Sequence, residues 1–322
     1  MSAGSSAVPV PLAGVRAPDR RRFLDVDGVR LAISEWGDEH GPPVLMAHGG
    51  GDTARTFDLL APLLARHAYR LVCWDQRGHG DSAFATFYGW PADARDAMVV
   101  IEDLRSGAVP VVGHSKGAMV LTMLADARPD LVSHLVSIDG FPTEVDAAEG
   151  FRATTSARLA ARRVWLDQHR NGIRTRPPST LDALAARRAR ISSRLSVEWL
   201  HYIAAAVADQ SPDGWRWKGD PVLQQFLYNP ADLESPLRGM RGLPMPVLAI
   251  LGLVIEVPAM GTTIEHATRF LPPHAELLAY ADSGHFVHVE HPRRVADAVA
   301  DFLGRYSFST NAAGATRAGR RS

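Results

Sequence analysis

The stretch that decides the fold of this chain is Val109-Pro110-Val111-Val112-Gly113-His114-Ser115-Lys116-Gly117. Its first four residues, 109–112, form an apolar strand pattern that runs directly into a Gly-x-Ser-x-Gly pentapeptide, and residues 118–127 continue as a helical pattern. A serine on so sharp a strand-to-helix turn projects clear of a sheet, and the flanking glycines relieve the crowding around it. The stretch therefore predicts a strand, a tight turn and a helix, with Ser115 as a candidate nucleophile.

Strands and helices alternate on both sides of this stretch. Two short strands around a turn are predicted within residues 22–36, and the further predicted strands cover residues 43–47, 69–74, 109–112, 131–138, 247–251 and 276–280. Alternation at this interval indicates crossover units and a parallel sheet. Most of these strands are continuous apolar runs, which is typical of strands that are buried on both faces. The predicted fold class is therefore α/β, with a mostly parallel, doubly wound sheet.

One long segment interrupts the alternation. Residues 141–241 have helical character without a clear strand, and eleven arginines lie between Arg152 and Arg194. We interpret this segment as a helical insertion in a single α/β core formed by residues 22–140 and 242–306. Most of its arginines are expected on solvated helix faces, and attraction of an anionic substrate stays open. The termini, residues 1–21 and 307–322, are small, polar and predicted to be mobile.

Composition excludes some classes of function. The 322 residues are 46% apolar and 22% charged, and basic and acidic side chains number 35 each. No charge imbalance points to nucleic acid or to an anionic membrane, and no run approaches the roughly 18 apolar residues of a membrane span. Cys73 is the only cysteine, which favours a cytoplasmic protein. The expected partner is a small-molecule substrate, and a homo-oligomer stays open.

The segment Asp282-Ser283-Gly284-His285-Phe286 follows the last predicted strand and precedes the last predicted helix. Loops at the carboxyl ends of parallel strands are where α/β folds place reactive groups. An imidazole there can take and return the proton of a serine hydroxyl, so His285 is the candidate general base. His288 and His291 follow at a spacing unlike that of zinc ligands. We interpret these two as packing or surface residues, and we predict neither a metal nor a cofactor.

A second glycine-rich motif, His48-Gly49-Gly50-Gly51, follows the predicted strand 43–47. Attack on a carbonyl creates an oxyanion, which needs fixed N–H donors. The backbone amides of Gly50 and of Lys116, the residue after the nucleophile, are the expected pair. A phosphate-binding loop is excluded because no Gly-Lys-Ser/Thr sequence follows the glycines.

Together these motifs resemble the α/β-hydrolase superfamily. The resemblance covers roughly residues 22–304 as a pattern of elements and is specific at residues 48–51, 75–82, 113–117 and 284–292. It implies the α/β-hydrolase fold, a serine hydrolase with a catalytic triad, and a cap formed by residues 141–241 that roofs the pocket. The charged segment 75–82 would mainly shape the loop beneath the active site.

The acid of the triad is where this chain departs from the family pattern. The family usually carries an Asp three residues beyond a glycine after the strand that follows the cap, and Ile255 occupies that position here, with Glu256 one residue further on. Asp139 ends the preceding strand, where some lactone hydrolases and haloalkane dehalogenases carry their acid. We favour Asp139 because it needs no loop shift to reach the carboxyl edge of the sheet. Glu256 is the alternative.

The chemistry predicted from these residues is acyl transfer to water, through an acyl-enzyme at Ser115. Cleavage of an ester or a lactone is the main expectation, and hydrolysis of a carbon–carbon bond in a diketone would use the same residues. A serine nucleophile argues against dehalogenase and epoxide hydrolase chemistry. Because a fold alone does not fix a function, a non-catalytic small-molecule-binding protein stays open as a further alternative.

Overall fold

The computed structural model describes residues 12–142, 177–221, 235–257 and 260–307, together with the single residues 160, 163 and 223. The predicted mobile tail beyond residue 307, residues 1–11 and much of the predicted insertion lie outside the described residues.

A mostly parallel sheet of eight strands forms the centre of the molecule, as predicted. Its strands in chain order are β1 (Arg20–Val26), β2 (Val29–Trp36), β3 (Pro43–Ala47), β4 (Arg70–Trp74), β5 (Val109–His114), β6 (Val132–Ile138), β9 (Val247–Gly252) and β10 (Glu276–Tyr280). Their spatial order is β1-β2-β4-β3-β5-β6-β9-β10. β2 pairs antiparallel with β1 and with β4, and all neighbours from β4 to β10 are parallel.

The helices of the described residues are α1 (Ala61–Ala65), α2 (Trp90–Leu104), α3 (Lys116–Ala127), α4 (Leu181–Ala189), α5 (Val197–Ala206), α6 (Ile264–Phe270), α7 (Val287–Glu290) and α8 (Pro292–Ser307). Side-chain caps start three of them, because Thr180, Ser196 and Thr263 each accept a backbone N–H of the first turn. The helical spacing of residues 56–66 predicts one helix between β3 and β4, but the structure divides this segment in two. A 3-10 turn (Ala54–Phe57) comes first, and Pro62 allows α1 to begin but not to continue an earlier helix.

Two apolar layers cover the two faces of the sheet. Successive side chains of a strand point to opposite faces, and in β3 Leu45 belongs to one layer while Met46 belongs to the other. Val100 and Val120 bring α2 and α3 onto the first face. Residues of α1 and α8 pack on the second face. Both faces are thus covered by helices, which confirms the predicted doubly wound architecture.

The inserted region, defined here as the described residues 177–221, lies between β6 and its parallel neighbour β9 in the sequence. It contains α4, α5 and a hairpin of β7 (Ala208–Ser211) and β8 (Gly214–Trp217). The expectation that residues 141–241 hold no clear strand is therefore wrong. The turn Ser211-Pro212-Asp213-Gly214 closes the hairpin, and Gly214 has a φ of 131° that favours glycine. The role of this region as a cap stays a prediction.

The N-terminal segment is more ordered than predicted. Residues 12–19 were expected to be mobile, yet the Arg16 N–H donates to Asp58 O at 2.9 Å and the Trp36 indole donates to Arg16 O at 3.1 Å. Leu12 and Val15 pack against the apolar cluster of the inserted region. β1 also begins at Arg20, two residues before the predicted boundary.

The order of the strands places the candidate site. The chain runs from β3 to β4 on one side and then returns to β5 on the other side of β3. Ligands of open α/β sheets bind beyond the carboxyl ends of the strands at such a reversal. His48 follows β3 and Ser115 follows β5, so both glycine motifs lie there. No helix among the residues described here has the length and apolar character to cross a membrane.

Candidate active site

Ser115 lies on a strained turn between β5 and α3. Its φ of 52° and ψ of −124° are unusual for a residue with a side chain, and its N–H donates to Ile138 O at 2.9 Å. A Cβ at Gly117 would lie 2.2 Å from Ala47 O, and one at Gly113 would lie 2.4 Å from the Ala118 Cα. Only glycine fits both positions, so the two glycines let α3 pack closely against β3 while the turn presents Ser115.

His285 and Asp139 form a buried pair beside this turn. His285 Nδ1 lies 2.5 Å from Asp139 Oδ2, and the side chains are 7% and 2% exposed. Asp139 Oδ1 also accepts the Gly252 N–H at 3.2 Å, while the Asp139 N–H donates to Ile250 O at 2.7 Å. Because a carboxylate accepts hydrogen bonds, it holds the imidazole proton on Nδ1 and leaves Nε2 as the acceptor.

Ser115 reaches the same corner of the sheet without a direct bond to His285. Among the described residues, the Ser115 hydroxyl makes no hydrogen bond, and the buried His285 Nε2 has no partner. The imidazole of His114, next to Ser115 in the sequence, lies 4.8 Å from the His285 ring between centroids. The His114 Nε2 also lies 3.0 Å from His285 O. In unliganded enzymes, hydrogen bonds of catalytic groups are often long and tighten only when substrate binds.

Glu256, the alternative acid, is engaged elsewhere. Its Oε1 accepts the Ser193 hydroxyl at 2.7 Å and the Arg194 N–H at 2.9 Å, both in the inserted region. No hydrogen bond joins Glu256 to His285 in the part of the chain that the structure describes. The structure thus brings Asp139, and not Glu256, to His285.

The glycine-rich loop passes directly beside Ser115. A Cβ added at Gly49 would lie 3.3 Å from the Ser115 Cβ. The Gly50 N–H donates to no described residue, and the Lys116 N–H is the first amide of α3, where no helical acceptor exists. Both predicted oxyanion donors are therefore free of hydrogen-bond partners within the described parts of the chain.

A network that the sequence did not predict connects the two glycine motifs. Lys116 Nζ lies 2.7 Å from the buried Asp93 carboxylate and 2.8 Å from Gln76 Oε1. The Gln76 side-chain amide donates to His48 O at 2.5 Å, and the Gln76 backbone N–H donates to His48 Nε2 at 2.9 Å. Lys116 thereby ties the start of α3 to the end of β3.

A second unpredicted network holds the loop of His285. Glu290 Oε1 accepts the Gly284 N–H at 2.9 Å, and Glu290 Oε2 accepts from Arg194 Nε at 2.8 Å. Arg194 also donates to Asp282 O at 2.6 Å. The inserted region therefore contacts both sides of the turn that carries His285.

Several buried histidines surround the site in neutral form. Burial lowers the pKa of His48 to about 4 and that of His288 to about 3, and it holds the pKa of His79 and of His114 well below the usual value. His48 Nδ1 donates to Gly49 O at 2.8 Å while Nε2 accepts from Gln76, which fits a neutral ring. His288 Nε2 lies 3.1 Å from the Thr56 hydroxyl.

Acidification is expected to destabilise the protein. Below a pH near 6.5 the unfolded chain protonates histidines that the folded chain keeps neutral, so stability is full above that pH and falls as the pH drops toward 4. Burial raises the pKa of Asp58 and of Asp75 to about 6, so these two carboxyl groups stabilise the folded chain as the pH falls. They are fewer than the four buried histidines, so the net effect of acidification is a loss of stability. We expect a smaller free energy of unfolding in urea at about pH 5 than at about pH 7.

The variant His288→Gln isolates one of these histidines. As the pH falls, the free energy of unfolding of this variant should decrease less steeply than that of the wild type. The two slopes should differ by about 1 kcal/mol per pH unit, because one proton-binding group is removed. A wild-type stability that stays constant or rises between about pH 7 and pH 5 would contradict the assignment.

In the described ranges, no group of three or more histidine, cysteine, aspartate or glutamate side chains is placed to hold a metal ion. His288 contacts Thr56, and the His291 Nε2 lies 3.6 Å from Asp282 Oδ2. These contacts agree with the interpretation of both histidines as packing or surface residues.

Comparison with known proteins gives one family. The sequence profile of the "Alpha/beta hydrolase family" matches residues 44–298. A "Serine hydrolase-like protein" of Danio rerio is 40% identical over 116 residues, which are 34% of this chain and 35% of that protein. The chain thus matches only about a third of that relative's length. The "sn-1-specific diacylglycerol lipase ABHD11" of Mus musculus is 27% identical over 308 residues, or 92% of each chain.

Solved structures give the same fold. The "Thioesterase Domain From Curacin Biosynthetic Pathway" superposes with a TM-score of 0.71 at 22% identity, covering 87% of this chain and 98% of that domain. The "E-2-(Acetamidomethylene)succinate Hydrolase" superposes with a TM-score of 0.68 at 23% identity, covering 88% and 99%. At these identities the likeness concerns the fold alone.

Proposed function

The chain belongs to the α/β-hydrolase family, and from this premise we propose that it is a serine hydrolase that cleaves an ester or a lactone of a small organic molecule. The hydrogen bond between His285 and Asp139 carries the proposal. It fixes an imidazole whose other nitrogen is buried and has no hydrogen-bond partner among the residues that the structure describes, at the corner of the sheet where a strained turn presents Ser115. This is the environment that a serine nucleophile requires.

The reaction would proceed in two half-reactions. Ser115 Oγ attacks the carbonyl carbon while His285 Nε2 takes the hydroxyl proton, and the Gly50 and Lys116 amides stabilise the oxyanion. The intermediate then expels the alcohol, which receives the proton from His285. In the second half, His285 removes a proton from water, hydroxide attacks the acyl-enzyme, and the acid leaves as Ser115 regains its proton. Asp139 keeps the imidazole oriented and stabilises its positive charge.

The name of one similar protein supports an acyl substrate. The mouse relative that spans most of the chain is called a diacylglycerol lipase, and that name denotes cleavage of an ester. It favours ester or lactone cleavage over carbon–carbon bond hydrolysis, which the same residues could perform.

The decisive experiment uses a fluorophosphonate probe on the purified full-length chain. We expect stoichiometric labelling of Ser115, found by mass spectrometry, because the probe reacts only with an activated serine. Ser115→Ala should abolish labelling and His285→Ala should nearly abolish it. An unlabelled but folded wild-type protein would contradict the proposal and favour a non-catalytic binding protein.

A substrate panel then separates the reaction types. Short aryl esters, lactones, diacylglycerols and diketones are incubated with the wild-type protein and with Ser115→Ala. We expect turnover of esters or lactones only by the wild type. Turnover restricted to diketones would replace ester cleavage by carbon–carbon bond hydrolysis.

A further inference from the structure

A buried arginine joins the inserted region to the glycine-rich loop. Arg188 lies on α4 and is only 5% exposed, whereas Arg187 on the same helix and Arg190 directly after the helix are both exposed. Its Nη2 donates to Asp52 Oδ2 at 2.6 Å and its Nη1 donates to Gly51 O at 3.4 Å. Burying two charges costs desolvation, and apolar packing would often anchor a helix as well. The ion pair therefore calls for an explanation beyond anchoring.

The partner, Asp52, is built into the turn of the loop. Its Oδ1 accepts the Thr53 N–H at 3.0 Å, and its own N–H donates to Gly49 O at 3.3 Å. The same Gly49 oxygen accepts from His48 Nδ1 at 2.8 Å. The Gly49 carbonyl and the Gly50 N–H belong to one planar peptide group. Whatever holds the Gly49 oxygen therefore sets the direction of the Gly50 N–H.

Such external support is needed because the loop has little stiffness of its own. Three consecutive glycines, Gly49, Gly50 and Gly51, give the backbone wide conformational freedom. Donors of an oxyanion hole act strongly only when they are already oriented before the reaction. Gly51 is held on both sides, since its N–H donates to His79 Nε2 at 3.1 Å and its carbonyl accepts from Arg188.

Arg188 also contacts the loop of the candidate base. Its Cζ lies 5.5 Å from the ring centroid of Phe286, which follows His285 in the sequence. Its Nε is buried and has no acceptor among the described residues. The guanidinium group thus lies between the glycine-rich loop and the loop of His285.

We propose that Arg188 is a positioning residue of the oxyanion hole, which it orients from the inserted region through Asp52 and the Gly49–Gly50 peptide. The inference rests on the proposed serine-hydrolase function. It assigns to an arginine of the inserted region a part in the chemical step, although that arginine lies on no core strand or loop of the α/β sheet.

The first test compares Arg188→Met with Arg187→Met, which changes an exposed arginine of the same helix. We expect Arg188→Met to lower kcat about 10- to 100-fold with KM within about twofold, because a misplaced donor weakens only the transition state. The affinity of a trifluoromethyl ketone, which forms an oxyanion with Ser115, should fall by a similar factor. Arg187→Met should match the wild type in all three measurements.

The second test separates positioning from stability. Arg188→Met leaves the Asp52 carboxylate buried and uncompensated, so this variant should also lose stability. The double variant Arg188→Met with Asp52→Asn removes that charge and should recover most of the lost stability, measured by urea unfolding, but should not recover kcat. Arg188→Lys keeps the ion pair with Asp52 but lacks the second guanidinium N–H group that donates to Gly51 O. This variant should therefore give an intermediate kcat.

Three results would overturn the proposal. A double variant that regains kcat together with its stability would make the role of Arg188 purely structural. A raised KM with unchanged kcat would assign Arg188 to substrate binding. Unchanged kcat in Arg188→Met, with Ser115 labelled by the fluorophosphonate in the wild type, would show that Gly50 needs no such support. Failure of the serine-hydrolase function is distinct, because it requires that the wild type itself is not labelled.

Discussion

Replacing Asp139 by asparagine is expected to lower kcat about 10⁴-fold on an activated aryl ester, with little change in KM. Asparagine keeps the shape of aspartate, but its amide nitrogen would donate to His285 Nδ1 and favour the tautomer with the proton on Nε2. That tautomer cannot accept the proton of Ser115. The measurement is steady-state kinetics on variants whose folding is checked by circular dichroism and urea unfolding.

The matched control is Glu256→Gln, which changes the other candidate acid. Its carboxylate accepts hydrogen bonds from Ser193 and Arg194 in the inserted region, whereas the His285 imidazole is bonded to Asp139. We expect kcat within about twofold of the wild type. A severe loss in Glu256→Gln together with near-normal turnover in Asp139→Asn would reverse the assignment of the acid.

The sequence could rank these two carboxylates because the position of Asp139 depends only on the sheet. Asp139 directly follows β6, and the carboxyl ends of neighbouring parallel strands lie at the same edge. The position of Glu256 depends instead on a loop after β9, and loop conformation follows from contacts that local sequence does not reveal. The Ser193 and Arg194 groups that bind Glu256 precede it by 63 and 62 residues.

The core strands were predicted well because a long apolar run directly indicates a strand that is buried on both faces. The hairpin of β7 and β8 was missed, although Ser211-Pro212-Asp213-Gly214 is a recognisable turn sequence. Its strands are short and only partly buried, so they lack the apolar alternation that usually indicates a strand. The order of residues 12–19 was missed because it comes from packing on Trp36 and on the inserted region.

The supporting network of the site was beyond prediction for a different reason. The sequence around Arg188 is like that around Arg187 and Arg190. Only the side of α4 on which Arg188 lies, which is buried, distinguishes it from the other two. Its partner Asp52 lies 136 residues away in the sequence. A single sequence therefore indicates which residue types carry the chemistry, while the residues that orient them become visible only once helices and loops are packed.

Replacing Ser115 by glycine is expected to abolish turnover while making the protein more stable. Loss of the nucleophile should lower kcat by roughly 10⁶-fold. At a φ of 52° and a ψ of −124°, however, Ser115 has a conformation that glycine adopts without strain. Backbone strain of this kind costs on the order of 1–3 kcal/mol, and glycine loses about 1 kcal/mol more entropy on folding. We expect a net gain of about 1 kcal/mol in the free energy of unfolding.

Urea unfolding and ester turnover, measured on the same preparations, test both halves of this expectation. Arg105→Gly is the matched control because Arg105 also has a positive φ, 53°, at the end of α2 and outside the site. Its ψ of 33° is an ordinary left-handed conformation, so relief of strain should be smaller there, and turnover should equal that of the wild type. If Ser115→Gly is instead less stable than the wild type, the turn is not strained by its side chain. The nucleophile would then occupy this conformation without an energetic penalty, and stability would no longer be expected to trade against activity at this position.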